Sequence, residues 1–462
     1  MTPESLLRNL RDFEVSVILS TEGDKLVLDG REEVIEEHLP AIREHKSAII
    51  EILKKPEGAP LHQDGKEITL IRDENGLFDM EQHVYENAIK KVFIDSETSG
   101  LDPYKAELVM IQLMAGNRIF LIDVPAIPSD QQKAFFYDGL ERILEDENIL
   151  KVFHNGLFDL KFLKYRLFGN NGTRFVSLFD TMLAEQLLTA GVSQQGDHSL
   201  KYLCRKYLNI ELNKDLQKSF RPGLSFTDDQ IRYAVADVKN LEAIFNLQAE
   251  AIADAGLVDI ALLEFGIIPA IVNIELAGVH LDIGKLEDLK TALIEEEVRL
   301  AQKLNEIIRT GLIERQGTLF TRSEINFKSP VQVRQLLSAF GFDVPGTGIE
   351  VIEKLDHPFP KTLVEYRKVS KLLSAFIDKL PKHIHEKTGR IHPEFFQLGT
   401  EAGRFTCQNP NLQQIPHDQE WRDLFSAPDG RRIITADYSQ IELRILAEFS
   451  QDPAFLDAYR TG

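Results

Sequence analysis

The sequence predicts an α/β protein in three parts: a small αββα unit, a mixed sheet with helical cover, and a mostly helical region. Three observations carry that expectation. Residues 1–55 read helix, hairpin, helix; short apolar strands alternate with helices from Glu67 to about Gln248; and after Glu250 the text is largely helical with few Gly or Pro. With 462 residues, 43% of them apolar, the chain is long enough for about three cores.

Thr2 and Pro3 read as N-cap and N1 of a first helix through "ESLLRNLRDF". "VSVILS", the polar turn "TEGD" and "KLVLDG" make a hairpin, and "REEVIEEHLPAIREHKSAIIEILKK" a second helix with Ile42, Ile49, Ile50 and Leu53 near one face. "PEGAPLHQDG" breaks the pattern, so residues 56–66 are expected to be a linker.

"KVFIDSE", "AELVMIQLMAG" and "NRIFLIDV" read as three consecutive strands, the last two joined through a Gly-Asn turn. Then "SDQQKAFFYDGLERILEDE" is helical, "LKVFHN" a strand, "LFDLKFLKYRLF" a helix and "RFVSLFD" a strand, with mostly helices beyond. Short strands and turns return at "TGRIHPEFFQLGTEAGRFT".

Bulk properties exclude little. Cys204 and Cys407 lie far apart in no C-x-x-C pattern, which suggests neither a disulfide framework nor a zinc site and fits a reducing cytoplasm. The N-terminus is charged where a signal peptide has its apolar core, and no run reaches the roughly 18 apolar residues of a membrane span. A formal net charge of -20 argues against a diffuse basic coat for nucleic acid, yet local basic stripes or bound cations leave DNA open as a partner.

Four carboxylates stand where this pattern makes them converge. Asp95 and Glu97 end the first strand of the sheet region, and residues two apart on a strand point to one side, so both can face one cation. Asp159 follows "LKVFHN" in the turn into a helix, and Asp237 lies in the helix "IRYAVADVKN" with Tyr233 one turn earlier on the same face. Hard oxygen donors without Cys or His select Mg²⁺ or Mn²⁺, and two such ions about 3.5–4 Å apart activate a water and stabilise the entering and leaving oxygens of a phosphodiester. A tyrosine hydroxyl beside them can orient that water. Singly, a lone Asp after a strand is usually a turn or N-cap residue and a Tyr with an i+4 Asp is more often a half-buried helix face; only the conjunction points to a nuclease.

D-x-E after an apolar strand, N-x-x-x-D after another and Y-x-x-x-D on a later helix together resemble the DEDD exonucleases of the tyrosine subtype, over about Glu67 to Gln248. The resemblance implies a ribonuclease H-like domain at 67–250. It also implies Asp95, Glu97 and Asp237 as ligands of a first metal, Asp95 and Asp159 as ligands of a second, Tyr233 as the water-positioning group, and Asn155 as support or substrate contact. Ser96 stands where that family often has Thr; its side chain is expected to point away from the metals, without effect on activity.

"GRFTCQNPNLQQIP" and "WRDLFSAPDGRRIITADYSQIELRILAEFSQD" resemble family A DNA polymerases of the bacterial polymerase I type, and "FKSPVQVRQLL" and "EYRKVSKLLSAFIDKLP" resemble their thumb. Residues 251–462 are thus expected to be the N-terminal part of a polymerase domain. "RRIITADYS" reads as a strand ending in Asp437, followed by a helix burying Ile441, Ile445 and Phe449. The resemblance makes Asp437 a metal ligand and Glu442 the group that favours deoxynucleotides, and places Arg404, Asn411 and Gln414 on the minor groove of a primer-template. Arg367 and Lys371 form a basic i, i+4 pair suited to phosphates or to an ordinary solvated face. Ala402, Thr406 and Gln414 depart from the family pattern. The sequence stops at Gly462, before the fingers and the later palm carboxylate of that pattern. The expectation is a chain that does not polymerise alone: a fragment, a split polymerase completed by a complementary chain, or a decayed gene.

Residues 1–55 resemble TubC-type docking domains, which implies a docking partner; a cap on its own chain reads equally well. The expected function is 3'→5' exonucleolytic proofreading of DNA, from a single-stranded 3' end or primer-template. Its rivals are an RNA-processing DEDD exonuclease and a non-catalytic DNA-binding or docking scaffold.

Overall fold

Two units make up the computed structural model, Met1–Leu276 with Phe395–Thr406, and Ala277–Glu394 with Cys407–Gly462. The structure describes residues 6, 10, 13, 15–19, 25–47, 49–50, 61–63, 65–127, 137–169, 173–190, 198–212, 216–313, 325–428 and 430–461.

The first unit begins with the predicted hairpin, β1 (Ser16–Leu19) antiparallel to β2 (Leu26–Asp29), followed by α1 (Glu32–Glu44). Leu6, Leu10, Val15, Ile42 and Ile49 form its small core, and most of the expected first helix, with Leu53, lies outside the described residues.

A seven-stranded mixed sheet follows, in spatial order β3-β4-β7-β6-β5-β8-β9. Its strands are β3 (Leu61–Gln63), β4 (Lys66–Ile71), β5 (Lys91–Thr98), β6 (Leu108–Ala115), β7 (Arg118–Asp123), β8 (Leu150–Phe153) and β9 (Leu178–Asp180), with α2 (Glu74–Glu86) between β4 and β5. The strand β3 turns at Gly65, φ +80°, and pairs with β4, so the sheet starts inside the stretch expected to be linker. The three predicted meander strands pair antiparallel, β8 lies parallel to β5, and β9 parallel to β8. Every residue of β6 is buried, as expected for a strand covered on both faces.

Four helices complete the surroundings of β5: α3 (Gly156–Phe162), α4 (Thr181–Thr189), α5 (Asp228–Asp254) and α6 (Val258–Ala277). A capping box starts α5: Thr227 Oγ1 accepts from Gln230 N at 3.1 Å, and Gln230 Oε1 accepts from Thr227 N at 2.9 Å. Phe245 of α5 packs edge-on against Phe93 of β5 and Phe179 of β9, with centroids 6.0 and 4.8 Å apart. That contact lays α5 over the face of β5 to which Phe93, Asp95 and Glu97 all point.

The expectation that no segment is long and apolar enough to span a membrane is corrected by α6, whose 20 residues pass that test by length and composition. Counting an unbroken apolar run missed it because Glu264 and Asn273 interrupt the sequence. One face of it packs within the unit, with Phe265, Ile268 and Val272 buried and buried Glu275 accepting from Lys161 Nζ of α3 at 2.7 Å, while Leu262, Leu263 and Ile274 are exposed.

The second unit is helical, with α7 (Ile283–Ile308), α8 (Pro330–Ala339) and α9 (Pro358–Leu372) around a core that includes Leu304, Val333, Leu336, Phe359 and Leu363. Its last elements are α10 (Ile441–Ser450) and α11 (Pro453–Thr461). Two expectations fail here. Residues 431–438 have no regular structure, and Ile441, Ile445 and Phe449 are 43%, 46% and 84% exposed rather than buried. A strand needs a partner for its backbone groups, and no strand pairs with this segment among the described residues.

Candidate metal centre

The central strand supplies the first two acids. Asp95 and Glu97 alternate on one face at the C-terminal end of β5, and Asp237 descends on them from α5. Carboxylate oxygens of Asp95, Glu97 and Asp237 all lie within 4.8 Å of one another. Glu97 and Asp237 are buried, so their charges have little water to screen them. Three acids this close repel strongly unless a cation sits among them, and their hard oxygens, with no thiol or imidazole, fit a divalent ion of the Mg²⁺ type.

Tyr233, one turn before Asp237 on α5, is buried at the same place. Burial pushes its phenol far above the ordinary range, and the Asp237, Glu97 and Asp95 carboxylates, with a hydrogen bond to Asp237, push it further. The phenol therefore keeps its proton.

Asp159 joins from the other neighbour of β5. Residues 153–156 turn from β8 into α3, and Asp159 stands in its first turn, buried. Burial and then the Asp95 charge raise its carboxyl well above the ordinary carboxylate range. Ser96 Oγ donates to Asp159 Oδ1 at 2.5 Å. Pleating sends its side chain away from the Asp95–Glu97 face, and α3 brings the Asp159 carboxylate to it there, a contact that a Thr hydroxyl in its place would also offer. The structure thus brings Asp95, Glu97, Asp237 and Tyr233 together, with Asp159 within electrostatic reach of Asp95.

Asn155 sits at the entry to α3 in the left-handed conformation, φ 58°, with its backbone N–H donated to Asp180 Oδ1 at 3.2 Å. Asp180, the last residue of β9, was not singled out from the sequence. An aspartate between an apolar strand and a helix is the signature of an N-cap, and that signal was present in "LFDTML".

The remaining expected residues are spread over other elements. Arg367 on α9 is half-buried, which lowers its guanidinium, and it donates to the Thr347 carbonyl, while Lys371 is exposed. Arg404 is exposed in the first unit. In the second unit Asn411 caps a short turn by accepting from Gln413 N at 3.1 Å, and Gln414, Asp437 and Glu442 are exposed.

Comparison with known proteins agrees with both halves of this picture. Residues 68–249 match the family described as 3'-5' exonuclease, and residues 293–462 match DNA polymerase family A. The chain thus carries one region similar to 3'-5' exonuclease domains and another similar to family A DNA polymerases. It is 30% identical to DNA polymerase I of Chloroflexus aurantiacus over 86% of this chain and 43% of that protein. It is 28% identical to DNA polymerase I of Pseudomonas aeruginosa over 80% of this chain and 42% of that protein. The chain therefore spans about two fifths of the length of these curated relatives. Among solved structures, the polymerase domain of Pol1 from M. smegmatis, in complex with DNA primer-template and dNTP, superposes with a TM-score of 0.62 at 21% identity. That superposition covers 82% of this chain and 63% of the other.

Proposed function

We propose that this chain is a 3'→5' exonuclease that hydrolyses the terminal phosphodiester of DNA with two divalent cations, Mg²⁺ or Mn²⁺, within a proofreading polymerase. The observation that carries this reading is the meeting of Asp95, Glu97 and Asp237 oxygens within 4.8 Å under a protonated tyrosine. In this reading Asp95, Glu97 and Asp237 hold one ion, and Asp95 and Asp159 hold the other. Bound ions of this kind lower the pKa of water and neutralise charge on the phosphate. The Tyr233 hydroxyl donates to Asp237, which leaves its oxygen lone pair to accept from the attacking water and aim that water at phosphorus. Water oxygen bonds to phosphorus as one of its protons passes to solvent, the bond to the 3'-oxygen of the preceding nucleotide breaks, and that oxygen takes up a proton from solvent.

The polymerase-like portion is proposed to serve DNA as well. Asp437 is its metal ligand, Glu442 the selector of deoxynucleotides, Arg367 and Lys371 phosphate contacts, and Arg404, Asn411 and Gln414 further DNA contacts; in the exonuclease part Asn155 supports the site or contacts the substrate. The division 1–55, 67–250 and 251–462 is our proposed domain scheme, with β3 belonging to the second part, a docking partner for the first, and a cytoplasmic location.

The test is incubation of the chain with end-labelled single-stranded DNA and Mg²⁺, beside an Asp95→Ala control and a matched RNA. A ladder of shortened DNA from the native protein alone supports the reading. Ladders from both proteins, or from neither, refute it, and preferential RNA decay favours the RNA-processing rival.

A further inference from the structure

Asp180 ends β9 with a buried carboxylate that collects four backbone N–H groups. Its Oδ1 accepts from Met182 N at 2.8 Å and Leu183 N at 3.1 Å, the ordinary work of an N-cap at the start of α4. Asn155 N, at 3.2 Å on Oδ1, and Gly156 N, at 2.7 Å on Oδ2, come from a different turn, the one that opens α3. That turn has little freedom of its own. Asn155 is held at φ 58°, and a Cβ on Gly156 would lie 2.7 Å from Phe153 Cβ. Asp159 follows Gly156 by three residues, so wherever the turn is pinned, the Asp159 carboxylate is placed.

We propose that Asp180 is a positioning residue for the second metal subsite: by tying the end of β9 to the start of α3, it sets Asp159 at the distance from Asp95 that a shared cation requires. The inference rests on the exonuclease reading and deepens it. Asp180 itself touches neither ion nor substrate in this assignment. A carboxylate that served only as a cap for α4 would use the Met182 and Leu183 bonds alone; the bonds to Asn155 and Gly156 are what link it to the site.

Mn²⁺ titration followed by electron paramagnetic resonance separates the two roles. The native protein is expected to bind two Mn²⁺ per chain in the exonuclease domain. Asp180→Ser keeps a good N-cap for α4 but is too short to reach Asn155 and Gly156. It should retain one ion with native affinity and bind the other about 10–100-fold more weakly, the usual loss on removing an outer partner of a ligand. Its turnover of single-stranded DNA should fall while KM holds, and excess Mn²⁺ should restore part of the rate. Asp180→Asn, which keeps the size but points an amide N–H at backbone donors, should behave alike. Glu185→Gln is the control for general loosening, because buried Glu185 accepts from Lys206 Nζ at 2.5 Å, Tyr207 Oη at 2.6 Å and Gln248 Nε2 at 3.3 Å, none of them a residue of the assigned metal site. It should lower the thermal midpoint and leave both ions bound. Native two-ion binding in Asp180→Ser, or loss of both ions in step with the thermal midpoint, overturns the proposal. A native protein that binds fewer than two Mn²⁺ overturns the exonuclease reading and this inference with it.

Discussion

Ser96 Oγ lies 2.5 Å from Asp159 Oδ1, so a strand residue facing away from the Asp95–Glu97–Asp237 cluster reaches a carboxyl whose ionisation feels the Asp95 charge. One oxygen of Asp159 is thereby engaged by a hydroxyl donor. Ser96→Ala should cost about 10–100-fold in turnover through weaker binding of the second ion, whereas Ser96→Thr should preserve both. Single-turnover rates across a Mn²⁺ series check this, and unchanged rates in Ser96→Ala would show the contact to be idle.

Tyr233→Phe keeps the ring packing against Phe220, at 6.1 Å, and removes only the hydroxyl. Turnover should drop about 10²-fold or more with DNA affinity retained, because the group acts on the water rather than on the nucleic acid. Fluorescence anisotropy of a labelled strand, measured beside the rate, distinguishes this from a binding defect.

Divalent ions should also stabilise the folded chain. Adding Mg²⁺ or Mn²⁺ relieves repulsion among Asp95, Glu97 and Asp237, and by mass action a ligand at 100 times its Kd contributes about 2.7 kcal/mol. Thermal melts with and without chelator should differ for the native protein, and Asp237→Asn should erase most of that difference.

Lys151 offers a pH dependence separate from the metal chemistry. It is fully buried in β8, its Nζ donates to the Asp146 carbonyl at 2.8 Å, and burial lowers its ammonium to about 8 against the opposing pull of Asp146 and Glu147. Between that value and the ordinary lysine range the unfolded chain holds a proton that the folded chain has lost. Stability from this group therefore rises with pH across that window, and the cost of burying the charge is fully present below it. Native protein should gain on Lys151→Met by up to about 3 kcal/mol between pH 8 and 10.5, read from urea midpoints.

Gly156→Ala should destabilise the protein by about 1–3 kcal/mol and depress exonuclease activity, since the new methyl would lie 2.7 Å from Phe153 Cβ and 2.9 Å from its Cγ. Urea unfolding and the DNA ladder assay measure the two effects.

Much of the site was legible in the sequence, because the acids obey local rules. Asp95 and Glu97 alternate on one strand, and Tyr233 and Asp237 share a helix face, so spacing alone orients each pair. Ser96 and Asp180 escaped because their partners, Asp159 and the Asn155–Gly156 turn, come from elsewhere in the chain, and no periodicity encodes a hydrogen bond between distant segments. The segment 431–438 misled for the opposite reason. Its β-branched residues favour extension, but a strand exists only where another strand pairs with it.

The placement of Tyr233 and Asp237 on one uninterrupted helix carries a consequence for how this centre can change. Every α-helical residue turns the chain by about 100°, so inserting a single amino acid between them would swing the phenol onto the flank of the helix while the carboxylate stayed behind. Substitution can tune either group in place, whereas a change in their spacing would part the phenol from the carboxylate it hydrogen-bonds.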